Sequence, residues 1–223
     1  MTHQSARDRP DLIARVFQLK LKELIKDIEH NQVLGFQVAR IYVIEFQKRG
    51  LPHAHVLIWI RKDDIPTIEE QMNTTICAEI PNPLLYPKLY RTVMKHMIHG
   101  PCGKQNQSSP CMEGEECTKE FPKDFADETI LNVVGYPTYR RRQTGSYLHK
   151  KKSAKHPIEV DNRWVVPHNP YLLLKYDCHI NLEYCSSILS VKYVFKYVCK
   201  GHDCASIKVH SEDVSKAINW DEV

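Results

Sequence analysis

The sequence lacks any apolar segment of the roughly 20 residues that a membrane-spanning helix needs, and its polar N-terminus lacks the apolar core of a signal peptide. We therefore expect no membrane partner and an intracellular protein. No GxxxxGK[ST] loop is present, which excludes ATP hydrolysis by that motif. Internal repeats and low-complexity tracts are also absent. A globular chain of 223 residues can form one domain with insertions.

Eight cysteines are present, and several of them cluster between Cys102 and Cys117. Disulfides are rare in a reducing compartment, so this clustering predicts a metal site. One imidazole and three thiolates are typical of structural zinc, and His96 is a competing ligand. The spacing matches no common zinc finger, so a loop of free cysteines remains an alternative. The candidate zinc ligands are His99, Cys102, Cys111 and Cys117.

The apolar run IYVIEFQKRGLPHAHVLIWI predicts a β-hairpin with strands at Ile41–Phe46 and His53–Ile60. Side chains alternate along a strand, so His53 and His55 are expected on one face. Glu45 is the only carboxylate of the run and is expected to face them across the hairpin. Two imidazoles and a carboxylate form a divalent-cation site. The alternative is a pair of half-exposed strand histidines.

The remaining periodicity predicts a mixture of helices and strands. Pro10 to about His30 carries apolar residues at helical spacing, and a short helical segment is expected around Thr67–Ala78. We expect residues 81–127 to be irregular. Together these signals predict an α+β fold, an antiparallel sheet with flanking helices. The other expected elements are strands at Trp164–Pro167 and Tyr171–Leu182 and a last helix from about Ser187 to Lys200.

Basic residues alternate with tyrosines in residues 136–163, a composition that suits single-stranded DNA, whose phosphates attract cations and whose bases stack on aromatic rings. A solvated loop or a nuclear targeting signal would have the same composition. The candidate DNA-contacting residues are Tyr139, Arg140, Arg141, Arg142, Lys150, Lys151 and Lys152, with Lys48 and Arg49 of the hairpin turn.

In the predicted last helix, Tyr193 and Tyr197 are four residues apart, which places both phenols on one face. Lys192, Lys196 and Lys200 form a parallel row of cations. Such a tyrosine pair usually belongs to a core. A tyrosine near a metal can also act as a covalent nucleophile.

Five segments of the chain resemble, in order, the replication-initiator (Rep) region of Helitron transposases, the Helitron helicase-like domain, which is a member of the HUH endonucleases. These segments are EFQKRGLPHAH, MIHGPCG with SPCM, YPTYRRR, VVPHNPYLLLKYDCHIN and KYVFKYVCKGHD. The resemblance covers nearly the whole chain. It implies one domain over residues 1–223 with an HUH, ferredoxin-like core. Within that domain it implies a Cys/His zinc-type insertion at 81–127 and a DNA-binding segment at 136–163.

The resemblance also implies roles for individual residues. His53 and His55 would be the metal pair with Glu45 as third ligand, and Tyr193 and Tyr197 would be the nucleophiles of the two-tyrosine class. Mg²⁺ or Mn²⁺ would assist the nicking of single-stranded DNA, leaving a 5′-phosphotyrosine and a free 3′-hydroxyl, as rolling-circle transposition requires. Lys196 and Lys200 would assist at the phosphate. The predicted zinc ligands fall where the family has a zinc-like cluster, and the implied location is the nucleus.

Family members extend further in both directions, with a strand upstream and a helicase domain downstream, both expected to be missing here. An inactive fragment is therefore one alternative. Another is a non-catalytic, zinc-stabilised remnant that binds single-stranded DNA. The third is an unrelated metalloenzyme with a two-histidine, one-carboxylate iron site.

Overall fold

The computed structural model describes residues 8–46, 51–100, 102–131, 137–149, 157–184, 205–209 and 219–220, with the last two ranges described as backbone only. The chain divides into two compact units. The first comprises residues 1–65 with 187–223, and the second comprises residues 66–186.

The first unit is a helix with a four-stranded antiparallel sheet. Helix α1 spans Pro10–Glu29 and begins with a proline in its first turn, where the missing N–H costs nothing. Strands β1 (Gln37–Phe46) and β2 (Pro52–Ile60) form the hairpin. Strands β7 (Ala205–Val209) and β8 (Asn219–Trp220) extend the sheet in the order β2-β1-β7-β8. The predicted first helix and the hairpin are both confirmed.

An ion pair ties α1 to the sheet. Arg40 of β1 donates to Glu29 at the end of α1 over 2.6 Å, with side chains only 11% and 12% exposed. On the same helix Leu21, Ile25 and Ile28 are buried, one face of α1 at helical spacing. The amphipathic face predicted from the sequence therefore packs inward.

In its described residues, the second unit has three α-helices, two small two-stranded antiparallel sheets and a core of its own. Val93, Met97, Val165 and Leu173 form the centre of this core and are fully buried. The elements of the second unit, in chain order, are α2 (Glu69–Thr75), α3 (Pro87–His96), β3 (Met112–Glu113), β4 (Glu116–Cys117), β5 (Tyr147–His149), β6 (Ile158–Val160) and α4 (Pro170–Tyr176).

The prediction of a strand at Tyr171–Leu182 is wrong, because its first half is helix α4. Asn169 caps this helix, since its Oδ1 accepts the backbone N–H of Leu172 over 2.9 Å. Pro170 follows at the first helical position, so the start signals override the alternating apolar pattern.

Two further expectations for the second unit are corrected. Residues 81–127 were expected to be irregular, but they contain the ten-residue helix α3. Trp164–Pro167 is not a strand: a 3₁₀ turn at Asn162–Trp164 leads into a single bridge between Ile98 and Val165. The side chains of Trp164, Val165 and Val166 are nevertheless buried, which accounts for the strand-like apolar run.

The mixed α+β class is confirmed by the four α-helices and the antiparallel sheets of the described residues. The predicted insertion at 81–127 and the segment at 136–163 both lie within the second unit. The predicted helix at Ser187–Lys200 lies outside the described residues. Within the described ranges, no helix has both the length and the apolarity to span a membrane.

Candidate functional site

The hairpin brings the three predicted metal ligands together. Glu45 of β1 lies directly opposite His53 of β2, and the rings of His53 and His55 are 4.7 Å apart between centroids. The Nε2 of His55 lies 3.2 Å from the Oε2 of Glu45. The side chains of His55 and Glu45 are 12% and 26% exposed, so solvent reaches both. This arrangement follows from the strand register, because alternation places His53 and His55 on one face.

The donor set suits a divalent cation, and one pair already has the required spacing. Ligands at about 2.1 Å from Mg²⁺ in an octahedron lie about 3 Å from each neighbour. The 3.2 Å separation between His55 and Glu45 is close to this value. Within the described ranges, however, the trio does not form a closely gathered ligand group of the kind found in the second unit. The metal role of His53, His55 and Glu45 therefore stays a prediction.

The second unit contains a tight Cys/His cluster. The ligand atoms of His99, Cys102, Cys111 and Cys117 all lie within 4.8 Å of one another. Cys117 Sγ is 3.4 Å from His99 Nε2. Zinc bonds of about 2.0 and 2.3 Å place tetrahedral neighbours about 3.5 Å apart, so the cluster could hold a metal ion such as zinc. His96, the competing ligand, instead lies 3.0 Å from Asp177.

Local backbone geometry positions these ligands. Gly100 has φ +97°, and a Cβ there would meet the Cys102 backbone nitrogen at 3.2 Å and the Trp164 ring at 3.3 Å, so the turn between His99 and Cys102 favours glycine. His99 also donates its backbone N–H to the Trp164 carbonyl over 2.9 Å.

The β3–β4 hairpin places the other two ligands close to each other. Cys117 pairs with Met112 across this hairpin, and the Cys111 carbonyl accepts the N–H of Thr118 over 2.8 Å. The partly buried Cys111 and Cys117 pack against the core cluster that contains the buried Cys102. A metal at this site would therefore join a short, polar hairpin to the core of the second unit.

The thiols of the cluster differ in acidity. Burial, followed by hydrogen bonding to Cys117, raises the pKa of Cys102 to about 12. Burial also acts to raise the pKa of Cys117, but backbone N–H groups of Phe121 and Lys119 outweigh it and the pKa is lowered. His99 stacks on Phe121 with 4.2 Å between ring centroids, which restrains its ring. Cys117 is therefore better prepared than Cys102 to bind as a thiolate. Four protein ligands would leave no open position on the metal, as is typical of a structural zinc.

Two of the predicted DNA contacts are wrong, because their side chains are interior. Tyr139 and Arg141 are only 5% and 4% exposed. Arg141 donates from Nη1 to the carbonyls of Asn162 over 2.6 Å and Val165 over 2.7 Å. The Oη of Tyr139 accepts the N–H of Tyr184 over 2.7 Å. These two side chains stabilise the second unit and are not available to DNA.

Arg140 and Arg142 point the other way and share one carboxylate. Glu79 lies 3.4 Å from Arg140 and 2.7 Å from Arg142, whose side chains are 28% and 49% exposed. The segment is extended, with bridges at Thr138 and Arg141, so successive side chains alternate between interior and surface. Period-two alternation was the signal that would have separated the structural Arg141 from its exposed neighbours.

The other predicted site residues lie outside the described part of the chain. They are the nucleophiles and helpers Tyr193, Tyr197, Lys196 and Lys200, and the cations Lys48, Arg49, Lys150, Lys151 and Lys152. Their roles stay predictions.

The hairpin site lies in the part of the chain that matches a protein-family model. Residues 1–58 match the family model of the Helitron helicase-like domain at the N-terminus. The match confirms the Helitron resemblance over a segment that contains α1, β1, Glu45, His53 and His55. It is consistent with a transposase-related role. No curated protein matches the chain.

Proposed function

We propose that this chain nicks single-stranded DNA and transfers the cut strand through a 5′-phosphotyrosine intermediate, as an initiator of rolling-circle transposition. The observation that carries the proposal is the convergence of His53, His55 and Glu45 on one face of a hairpin within the Helitron-matching segment. The antiparallel sheet that carries this hairpin corresponds, in the proposal, to the core of an HUH endonuclease.

The three hairpin residues would hold Mg²⁺ or Mn²⁺, which when bound polarises a phosphate oxygen and stabilises negative charge. The phenol oxygen of Tyr193 or Tyr197 gives up its proton and attacks the scissile phosphorus. The bond from phosphorus to the 3′ oxygen breaks, and that oxygen takes up a proton, so no net proton is gained or lost. Lys196 and Lys200 neutralise charge on the phosphate. One phosphodiester replaces another, so the step needs no ATP. The second tyrosine allows a second transfer while the first covalent link persists.

The second unit supplies binding and stability in this proposal. Zinc on His99, Cys102, Cys111 and Cys117 is architectural. Arg140 and Arg142, with the cations that lie outside the described residues, contact DNA phosphates. A helicase domain of a longer transposase is the proposed protein partner, and the nucleus is the proposed location.

Covalent capture tests this proposal. The full chain is incubated with end-labelled single-stranded DNA and Mn²⁺, and denaturing electrophoresis reveals any protein–DNA adduct. We expect an adduct with the wild type and none with Tyr193→Phe plus Tyr197→Phe. Tyr171→Phe, on the exposed surface of α4, is the matched control and keeps the adduct. No wild-type adduct, or an adduct that persists in the double variant, contradicts the proposal.

A second candidate function is a non-catalytic, zinc-stabilised protein that binds single-stranded DNA. The geometry of the Cys/His cluster favours it, because that cluster requires neither tyrosine nor hairpin metal. Binding of the labelled DNA without a covalent adduct, at saturating Mn²⁺, distinguishes this candidate from the nickase.

A further inference from the structure

A loop in the second unit exposes three consecutive large side chains just before helix α3. Leu84, Leu85 and Tyr86 are 89%, 70% and 60% exposed. We call these three residues the apolar tip. Isolated exposed apolar residues are common, but a contiguous group of this kind marks an interaction surface.

The backbone of the tip is held in one shape. Oδ1 of Asn82 accepts the N–H groups of Leu84 over 2.9 Å and Leu85 over 3.3 Å, and its carbonyl accepts that of Tyr86 over 2.9 Å. Pro83 and Pro87 fix φ on either side. Because the loop is already ordered, little conformational entropy would be lost when the tip binds a partner.

A cationic helix face follows the tip directly. Lys88, Arg91 and Lys95 are exposed and three or four residues apart, so they share one side of α3. Lys95 pairs with Asp177, whereas no carboxylate of the described residues pairs with Lys88 or Arg91. The sequence has no Asp or Glu between Glu79 and Glu113. The tip is therefore followed by two exposed cations, Lys88 and Arg91, that no described carboxylate neutralises, and this pair fits a polyanion.

We propose that the apolar tip and the cationic face of α3 bind DNA where a single strand joins a duplex. A leucine side chain cannot hydrogen-bond to a base, so it can contribute binding free energy only by removing apolar surface from water. Within a duplex the faces of the base pairs are already stacked, whereas at a junction one face is exposed to water. The tip covers that terminal base pair, as apolar wedges do at unstacked steps, and Lys88 and Arg91 hold the adjoining phosphates. The inference rests on the proposed function only in taking DNA as the ligand.

Binding of the full chain to two fluorescent probes tests the junction contact. One probe is a fork with a duplex arm and oligo-dT tails, and the other is oligo-dT alone, both without Mg²⁺ or Mn²⁺ so that no nicking is needed. We expect the wild type to prefer the fork and Leu84→Ala plus Leu85→Ala to lose about tenfold in fork affinity, within the range for stacking contacts to a base. Leu12→Ala plus Leu19→Ala, two exposed leucines of α1, is the matched control and keeps the preference.

The cationic face has a separate readout, the salt dependence of binding to the single-stranded arms of the fork. Each phosphate contact contributes a slope of about 0.7 in log affinity against log salt. Lys88→Ala plus Arg91→Ala should lower the slope by about 1.4, whereas removal of two exposed α1 cations, Arg15→Ala plus Lys22→Ala, leaves it unchanged.

Three results would overturn the inference. The first is equal affinity of the wild type for the fork and for oligo-dT. The second is an unchanged fork affinity in the Leu84 and Leu85 double variant. The third is a concentration-dependent dimer that this variant abolishes, because the tip would then be a contact between two copies of the chain. A preserved fork preference without any covalent adduct would refute the nickase proposal and leave this inference standing.

Discussion

Replacing Arg141 by leucine should destabilise the second unit, although this arginine belongs to a basic run that resembles a DNA-binding motif. The guanidinium is 4% exposed and donates to the carbonyls of Asn162 and Val165 at 2.6 and 2.7 Å. Burial lowers its pKa to about 10, so it remains a cation at neutral pH. The side chain thus connects the extended segment at 138–142 to the 3₁₀ turn at Asn162–Trp164.

The magnitude follows from the carbonyls that lose their donor. The buried Val165 carbonyl is left without a partner, which costs about 1–3 kcal/mol. The Asn162 carbonyl still accepts the N–H of Val165 over 3.3 Å and loses only a hydrogen bond to a charged group, worth about 1.5–3 kcal/mol. Leucine removes the desolvation cost of the buried charge, which offsets part of this loss. We therefore expect the free energy of unfolding to fall by about 2–4 kcal/mol.

Urea unfolding measures this loss, with the fluorescence of the buried Trp164 reporting on the same unit. Arg142→Leu is the matched control, because Arg142 is half exposed and its pair with Glu79 is worth at most about 1 kcal/mol. Equal stability of the two variants, or a larger loss in Arg142→Leu, would refute the interior role of Arg141.

Three other predictions concern the metal sites and pH. The Cys117→Ser variant should lose bound zinc, measured by elemental analysis, and several kcal/mol of unfolding free energy. The control variant Cys178→Ser, at an exposed cysteine, should lose neither. Unchanged zinc content in Cys117→Ser would contradict a zinc site at the Cys/His cluster. Mn²⁺ binding, followed by electron paramagnetic resonance, should be abolished by His53→Asn plus His55→Asn and retained by His30→Asn plus His179→Asn; equal affinities would exclude the hairpin site. Burial lowers the pKa of His168 from 6.5 to about 4. Between pH 6.5 and pH 4 the folded state therefore binds fewer protons than the unfolded state, so the free energy of unfolding falls as the pH drops through this range. The His168→Gln variant should show a weaker dependence of unfolding free energy on pH, whereas the control His179→Gln, at an exposed histidine, should keep the wild-type dependence. An unchanged pH profile in His168→Gln would count against a buried, neutral His168.

The hairpin was predictable because its information is local. Alternation fixes which side chains share a face, and the pairing of β1 with β2 sets Glu45 opposite His53. The residues that form the Cys/His cluster were also readable from residue chemistry. The presence of His99 and not His96 in the cluster was not, because Asp177, which is distant in sequence, takes His96 as its partner.

The wrong predictions have two origins, a competing local pattern and contacts between residues that are distant in sequence. Helix α4 was missed because its apolar residues also alternate in the sequence. That alternation concealed the helix start signalled by Asn169 and Pro170. The interior role of Arg141 depends on carbonyls 21 and 24 residues further along the chain. The composition of the YRRR run does not indicate those carbonyl partners. Residue type therefore identified the cationic run, and tertiary contacts decided which of its members are available to a ligand.

The position of a covalent DNA link tests the central proposal most directly. After reaction of the full chain with single-stranded DNA and Mn²⁺, nuclease and protease digestion followed by mass spectrometry identifies the residue that carries the phosphate. The proposal predicts a nucleotide on Tyr193 or Tyr197, lost when His55 is replaced by alanine. A link on any other residue, or no link at saturating Mn²⁺, would contradict it.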